Sequence, residues 1–395
     1  MQKKNIAVIF GGCSVEHDVS IVTGLQLIEN IDKEKYDVTP IYISNSGEWF
    51  TGKELPDSDI YKNFAKAKKL LKKVLIPPIP SIKSIMYYPN KIEVFTKKVF
   101  KGVDVVIPAM HGMNGEDGTL QGLLELANIP YVGSGVLGSA VGMDKIVMKS
   151  VLAGNGLPVL KYTYFLREEW ISDQESILKN IESSLRYPVF VKPSNLGSSI
   201  GISKAKDRKG LISAIEIAVH YDRRIIVEEG VENPLEVNCS VLGFGNELTA
   251  SVCEQPVSWE DFLTFDDKYL RGSKGKTEAG MPSMDRRIPA PISEELTNQV
   301  RELSKRVFKA MDCRGVARID LIINKADMNP YINEINTIPG SFSFYLWEPC
   351  GIKYAELIDK LINIAFKVNE EKNKNTYSYD SQILSKVGKG MKMGK

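Results

Sequence analysis

The 395-residue chain has only three histidines, His17, His111 and His220, which leaves little material for a zinc site built on imidazoles. Its five cysteines, Cys13, Cys239, Cys253, Cys313 and Cys350, are odd in number, scattered and never spaced C-x-x-C. That pattern argues against a disulfide framework or a structural zinc site and fits a reducing cytoplasm. Charge of one sign is lacking too: a formal net charge of +2 gives no footing for nucleic-acid binding. Long apolar runs are absent. The start, MQKKNIAVIFGG, is continuously apolar only from Ile6 to Phe10 before Glu16, His17 and Asp18 follow, too short for a membrane span or a secretory core. Neither strand-end loop, GGCSVEHDVS or HGMNGEDGTLQG, is a G-x-G-x-x-G, so a dinucleotide-binding reading is weak, and no internal repeat is found. GSKGKT, Gly272 to Thr277, imitates a phosphate-binding P-loop, but that motif needs glycine where Leu270 stands, and no apolar strand precedes it.

What is present is a chain too long for one core, so two or three domains are expected. The first third alternates strands (NIAVIF, YDVTPIYIS, DVVIPAM) with helices (Ser20 to Ile28, and GTLQGLLELAN ending at Asn128), the pattern of a parallel α/β sheet. Ligands collect at the carboxyl ends of such strands, and two loops stand there, GGCSVEHDVS and HGMNGEDGTLQG. A second unit begins near Gly133. It is expected to hold one helix over about 138–152, strands LPVLKYTYF and YPVFVKPS, a helix around Ser176 to Leu185, and a strand RIIVEEGV, Arg224 to Val231. Beyond it, EVNCSVLGF, ELTASVCEQPV and a hairpin read as antiparallel, followed by a helix from about Tyr354 to Val368. The polar stretch from Trp259 to Arg287 suggests a mobile loop over a site, and the Lys-rich tail from Glu370 a flexible end.

The hairpin poses a physical problem. If the connector Lys325 to Asn329 joins GVARIDLIIN to YINEIN, Asp320 lies opposite Glu334 and Arg318 opposite Asn336. Directly opposed side chains lie about 5 Å apart, and like charges there repel. A divalent cation such as Mg²⁺ would remove the conflict. The same residues also read as a satisfied polar cluster in which Arg318 neutralises one acid and Asn336 serves the turn before Pro339; both readings stay open on this hairpin alone.

KPSNLGSSIG, Lys192 to Gly201, runs from a strand end into a glycine- and serine-rich turn whose amides, with Lys192 and Ser198, suit phosphate oxygens; an ordinary hairpin turn is the alternative. Lys145 in MDKIVMK is by itself an unremarked helix lysine. His17 and His111 fall in the two strand-end loops, near Glu16 and Glu116, whereas His220 reads as structural.

Taken in order, GGCSVEHDVS, HGMNGEDGTLQG, PYVGSGVLGSAVGMDK, YPVFVKPSNLGSSIG, RRIPAPI, GVARIDL and NEINTIPG resemble the D-alanine–D-alanine ligases of the ATP-grasp superfamily, over Asn5 to about Val368. The resemblance implies an α/β fold with an α+β C-terminal part in three domains. These are a Rossmann-like parallel-sheet substrate-binding domain over 1–133, a central ATP-grasp subdomain over 134–229 and a C-terminal ATP-grasp and magnesium domain over 230–371, with a tail over 372–395. It implies ATP and two Mg²⁺ ions, with Mn²⁺ as a substitute, D-alanine as substrate, a cytoplasmic homodimer, and no nucleic-acid or membrane partner.

By the same resemblance Lys145 and Lys192 hold the ATP phosphates, and Glu228, Glu229 and Val231 lie at the adenine base. Glu236 matches the acid that accepts from the ribose hydroxyls, with one extra residue between it and Glu228. Asp320, Glu334 and Asn336 match the magnesium ligands. Arg318 and the Gly340 amide match the donors to the tetrahedral oxyanion. Glu16 matches the residue that binds the first ammonium and, with Ser198 and Tyr269, closes the lid; Lys268 precedes that tyrosine among the ATP contacts, and His111 lies near the first substrate.

The family usually has serine five residues after the glycine of NTIPG, where it meets the second substrate's carboxylate, but here Tyr345 stands at that position. The expected activity is ligation of two D-alanines through an acyl phosphate for peptidoglycan precursors. The alternatives are a D-serine or D-lactate acceptor, or a non-catalytic ATP-binding protein on the same fold.

Overall fold

The computed structural model describes residues 3–88, 99–256 and 286–379. Strand β1 (Lys4–Gly11) is buried on both faces and pairs in parallel with β2 (Tyr36–Ile43) and β7 (Val105–Ala109). Helix α1 (His17–Asn30) makes the crossover from β1 to β2, as parallel neighbours require. The expectation of a parallel sheet holds only for these three strands. The seven-stranded sheet runs β6-β5-β4-β3-β2-β1-β7, and β3 (Trp49–Thr51), β4 (Lys72–Leu75), β5 (Ser84–Tyr87) and β6 (Val99–Gly102) extend it in antiparallel pairs. The short link from Ile43 to Trp49 explains the switch, since a turn of that length can join only antiparallel neighbours.

Helix α2 (Thr119–Ala127) ends at Asn128, which takes a left-handed φ of 49°. The single helix expected over 138–152 is two, α3 (Val136–Met143) and α4 (Lys145–Gly154). Asp144 breaks it: its backbone is extended, and its carboxylate accepts from the amides of Ile146 and Val147, both at 3.0 Å, capping α4. Lys145 therefore sits at the first turn of a helix that starts at the edge of the second sheet.

That sheet runs β10-β9-β11-β8, all antiparallel, from β8 (Tyr162–Leu166), β9 (Val189–Pro193), β10 (Ser203–Ala205) and β11 (Arg224–Glu229). Helices α5 (Gln174–Ser184) and α6 (Arg208–Tyr221) bury Leu178, Ile181, Leu211 and Ile215 against it. The third sheet runs β14-β13-β12-β15-β16, from β12 (Pro234–Phe244), β13 (Glu247–Pro256), β14 (Arg286–Arg287), β15 (Gly315–Asn324) and β16 (Asn329–Asn336), with α7 (Glu294–Ala310) packed on one face. The last described helix, α8 (Tyr354–Lys372), returns to the first sheet: Leu357, Ile358, Leu361 and Ile362 share a core with Ile6, Val8, Phe10 and Ile107.

The hairpin β15–β16 pairs Asp320 with Glu334 and Arg318 with Asn336, as alternation implies, but by another route. Asn324 pairs with Asn329, so the turn is one residue shorter than expected, and an irregularity between Asp320 and Leu321 restores the register. Without it Asp320 would face Asn333, because Leu321 pairs with Ile332. The bulge brings Asn333, Glu334 and Asn336 all to the wall of one cleft.

Candidate active site

Between the second and third sheets lies a cleft of about 1520 Å³, counted to its open mouth. Phe190, Leu160, Ile202, Val231 and Ile322 give it an apolar end, with Glu236 and Pro234 at the side. Lys192, Arg318, Asp320, Glu334 and Asn336 give it a charged end, reached by Glu16, Ser198, Gly340 and Tyr345. Most of the residues expected from sequence thus converge.

Lys192 Nζ donates to Glu228 Oε2 at 2.8 Å and to Asn333 Oδ1 at 3.1 Å. Lys145 Nζ donates to the Leu196 carbonyl at 2.6 Å and stands 4.0 Å from Glu334 Oε2; its pKa is lowered by burial, against which Glu334 acts. Burial also works against the Glu228 carboxylate, yet Lys149 and Lys192 hold it at about 2. Lys149 is wholly buried, with Nζ 3.3 Å from Glu228 Oε1. It escaped the sequence reading, although it lies one helical turn from Lys145 on α4. Glu228, expected at the adenine, thus spends its carboxylate on two lysines. Glu229 accepts from the Arg186 amide at 3.2 Å and lines a neighbouring hollow, not the main cleft.

Arg318 grips Asp320 with two bonds of 2.7 Å, and Asn336 Nδ2 donates to Asp320 Oδ2 at 3.0 Å. The polar-cluster reading of the hairpin therefore describes this arrangement, while the facing carboxylates remain a hard-oxygen pair. Among the described residues no group of three or more His, Cys, Asp or Glu side chains clusters as a metal site. Two carboxylates and an amide opening on a cleft with Lys192, and with Lys145 4.0 Å behind Glu334, nevertheless suit an oxygen-seeking cation shared with phosphate.

Glu16 and Ser198 are hydrogen-bonded, joining the first loop to the glycine-rich turn. A Cβ on Gly197 would stand 2.7 Å from Glu16 Oε2, so any larger residue there would displace the Glu16 carboxylate. Ser198 and Ser199 take left-handed φ values of 52° and 60°, which serine adopts only under constraint. His111 is behind the cleft: its Nε2 meets Thr23 Oγ1 at 2.8 Å, and burial lowers its pKa to about 4, so the ring is neutral. Burial, aided by Glu16, pushes the neighbouring Glu116 carboxyl up. His17 bonds the Gly12 carbonyl at 2.7 Å and Tyr42 at 3.0 Å, as a structural residue would. Lys268, Tyr269 and the Gly272 to Thr277 run lie outside the described residues.

Comparison with known proteins decides the family. The family described as D-ala D-ala ligase N-terminus matches residues 5–134, and D-ala D-ala ligase C-terminus matches 151–363. The chain belongs to the D-alanine–D-alanine ligase family. It is 43% identical to the D-alanine–D-alanine ligase of Ruminiclostridium cellulolyticum, over 94% of this chain and 97% of that one. With that of Acetivibrio thermocellus it shares 42%, over 96% and 99%. Among solved structures, the VanG D-Ala:D-Ser ligase from Enterococcus faecalis superposes with a TM-score of 0.78 at 33% identity, covering 92% of this chain and all (100%) of that one. The D-alanine–D-alanine ligase from Coxiella burnetii gives 0.78 at 28%, covering 95% and 97%. The fold is accordingly that of the ATP-grasp ligases.

Proposed function

We propose that this chain joins two D-alanine molecules into D-alanyl-D-alanine at the expense of ATP, for peptidoglycan precursors made in the cytoplasm, and that it does so as a homodimer. The observation that carries the reading is the pairing of Asp320 with Glu334 in one cleft with Lys192, Arg318 and Gly340.

A carboxylate resists amines because charge and resonance both oppose attack. Moving the γ-phosphoryl group of ATP onto the first D-alanine gives an acyl phosphate, and that transfer needs chiefly positioning and charge neutralisation. Lys145 and Lys192 supply positive charge from two elements, and Glu228 keeps Lys192 aimed. Two Mg²⁺ ions, with Mn²⁺ as a substitute, would be held by Asp320, Glu334 and Asn336 and would neutralise phosphate charge. Glu16 would hold the first ammonium, with Ser198 as its partner, while Val231 and Glu236 border the nucleoside end and His111 backs the first substrate. The second amine then attacks the acyl carbon, and the Arg318 guanidinium and Gly340 amide are the donors for the oxyanion.

The test is phosphate release by the purified chain with ATP and Mg²⁺, with and without D-alanine, together with detection of the dipeptide. D-Alanine-dependent release with dipeptide is expected. ATP binding without any amino-acid-dependent hydrolysis would reduce the chain to a nucleotide-binding protein. Because Tyr345 replaces the expected serine, D-serine and D-lactate belong in the same assay as alternative acceptors.

A further inference from the structure

Glu254 has no part in the reading above, yet its setting is unusual. It lies on β13 opposite Asn238, is only 2% exposed and lines the cleft. Its Oε1 accepts from Asn238 Nδ2 at 3.0 Å and from the Tyr345 hydroxyl at 3.2 Å. Its Oε2 makes no hydrogen bond among the described residues. The facing groups are Asn238 from β12, Arg286 from β14 with Nη1 at 3.9 Å, Arg318 from β15, whose charge Glu254 supports, and Tyr345. The Arg286 guanidinium lies over the Tyr345 ring, 4.2 Å from its centre.

A phenol has one proton to donate. Here Tyr345 gives it to Glu254, so it is not offered to a substrate carboxylate, and a second carboxylate brought to that hydroxyl would meet Glu254's charge. Arg286 is the cation beside it that opens on the cleft. A buried carboxylate oxygen that no hydrogen bond satisfies, loosely ion-paired at 3.9 Å with an arginine on the cleft wall, complements one kind of molecule, an amino acid carrying both its charges.

We propose that Glu254 and Arg286 together receive the second amino acid as a zwitterion, Arg286 taking its carboxylate and Glu254 Oε2 its ammonium, and that Glu254 accepts the proton the ammonium sheds before attack. The proposal rests on the ligase reading. One proton passes from the ammonium to Glu254, and the freed nitrogen lone pair forms the N–C bond at the acyl carbon. The second proton leaves that nitrogen for the departing phosphate as the C–O bond breaks and its electron pair goes to phosphate; Glu254 returns its proton to solvent. Acceptors without an ammonium, such as D-lactate, are poor partners for this site.

Two readouts on the full chain separate the half-reactions: hydroxylamine trapping of the acyl phosphate from ATP and D-alanine, and dipeptide formation. Glu254→Gln keeps the shape and still gives trapped hydroxamate. Its kcat/KM for the second D-alanine falls about 100-fold or more at pH 7, the usual scale for loss of a positioned base. The loss shrinks as pH rises and more acceptor is already neutral. Arg286→Gln instead raises the acceptor KM, about tenfold, with trapping retained. The wild type uses D-lactate at least about 100-fold less well than D-alanine. Dipeptide formation by Glu254→Gln at the wild-type rate at pH 7, a loss independent of pH, or equal use of D-lactate would each overturn the assignment. Absence of trapped hydroxamate in the wild type would instead remove the ligase reading beneath it.

Discussion

Lys192 donates to Glu228 Oε2 at 2.8 Å while Lys149 stands 3.3 Å from the other oxygen, so one buried carboxylate orients the cleft's lysine from a position no solvent reaches. Removing one partner of a buried ion pair leaves a charge poorly compensated, at a loss of about 3 kcal/mol or more. Lys149→Met should therefore lower the unfolding free energy by about that amount. It should also raise the KM for ATP, because Glu228 then draws Lys192 alone. Urea unfolding and an ATP titration measure the two effects; an unchanged midpoint would show that Lys149 is neutral in the fold.

Asp320 and Glu334 face each other, and without a cation their like charges oppose folding slightly. Glu334→Gln removes that repulsion together with the 4.0 Å ion pair to Lys145, two changes of opposite sign, so metal-free stability should stay within about 1 kcal/mol of wild type. Phosphate release should fall about 100-fold or more, because a charged group aimed at phosphate chemistry is lost. A drop of several degrees in the metal-free melting temperature, with activity intact, would contradict both halves.

The parts of this site that sequence could reveal were those carried by local pattern. Alternation placed Asp320 opposite Glu334, and a glycine-serine turn marked Ser198. The bulge that makes the first pairing work was not visible, since a five-residue connector without a bulge and a four-residue turn with one leave the same residues opposed. Asp144 hid inside an apolar helical pattern, although aspartate there caps a new helix. Lys149, Asn333, Glu254 and Arg286 acquire meaning only from strands and helices far away in sequence. In the first sheet, alternation of strand and helix suggested parallel pairing throughout. The short strands from Trp49 to Gly102 carry too little periodicity to correct it.

His111 gives a pH dependence with a definite sign. Its folded pKa of about 4 lies below the ordinary 6.5, so the unfolded chain binds the proton more readily. Stability from keeping the ring neutral is full above pH 6.5 and is lost as pH falls toward 4, to the extent of about 3 kcal/mol. Glu116, whose carboxyl is pushed up, acts in the opposite direction, so the His111 share is read as a difference. Urea unfolding at pH 7 and pH 4.5 should show a smaller acid loss in His111→Gln than in wild type. Equal losses would place the acid sensitivity elsewhere.

The run after Gly340 stores strain next to the acceptor end of the cleft. Ser341, Phe342 and Ser343 take left-handed φ values of 48°, 56° and 51°, held by the Ser341 hydrogen bonds to Thr23 and Gln26 on α1. Ser343 Oγ is buried with no hydrogen-bond partner among the described residues. A left-handed L-residue costs about 1–2 kcal/mol and glycine returns about 0.5–1 kcal/mol of that in unfolded-chain entropy. Ser343→Gly should thus stabilise the chain by about 1 kcal/mol. Ser343→Ala removes the orphaned hydroxyl but keeps the Cβ, so the difference between the two variants isolates the backbone strain. Because the same run carries Tyr345 to Glu254, relaxing it should raise the KM for the second D-alanine while leaving that for ATP alone. If Ser343→Gly is no more stable than Ser343→Ala, the left-handed run is unstrained, and the position of Tyr345 must be fixed by its own packing.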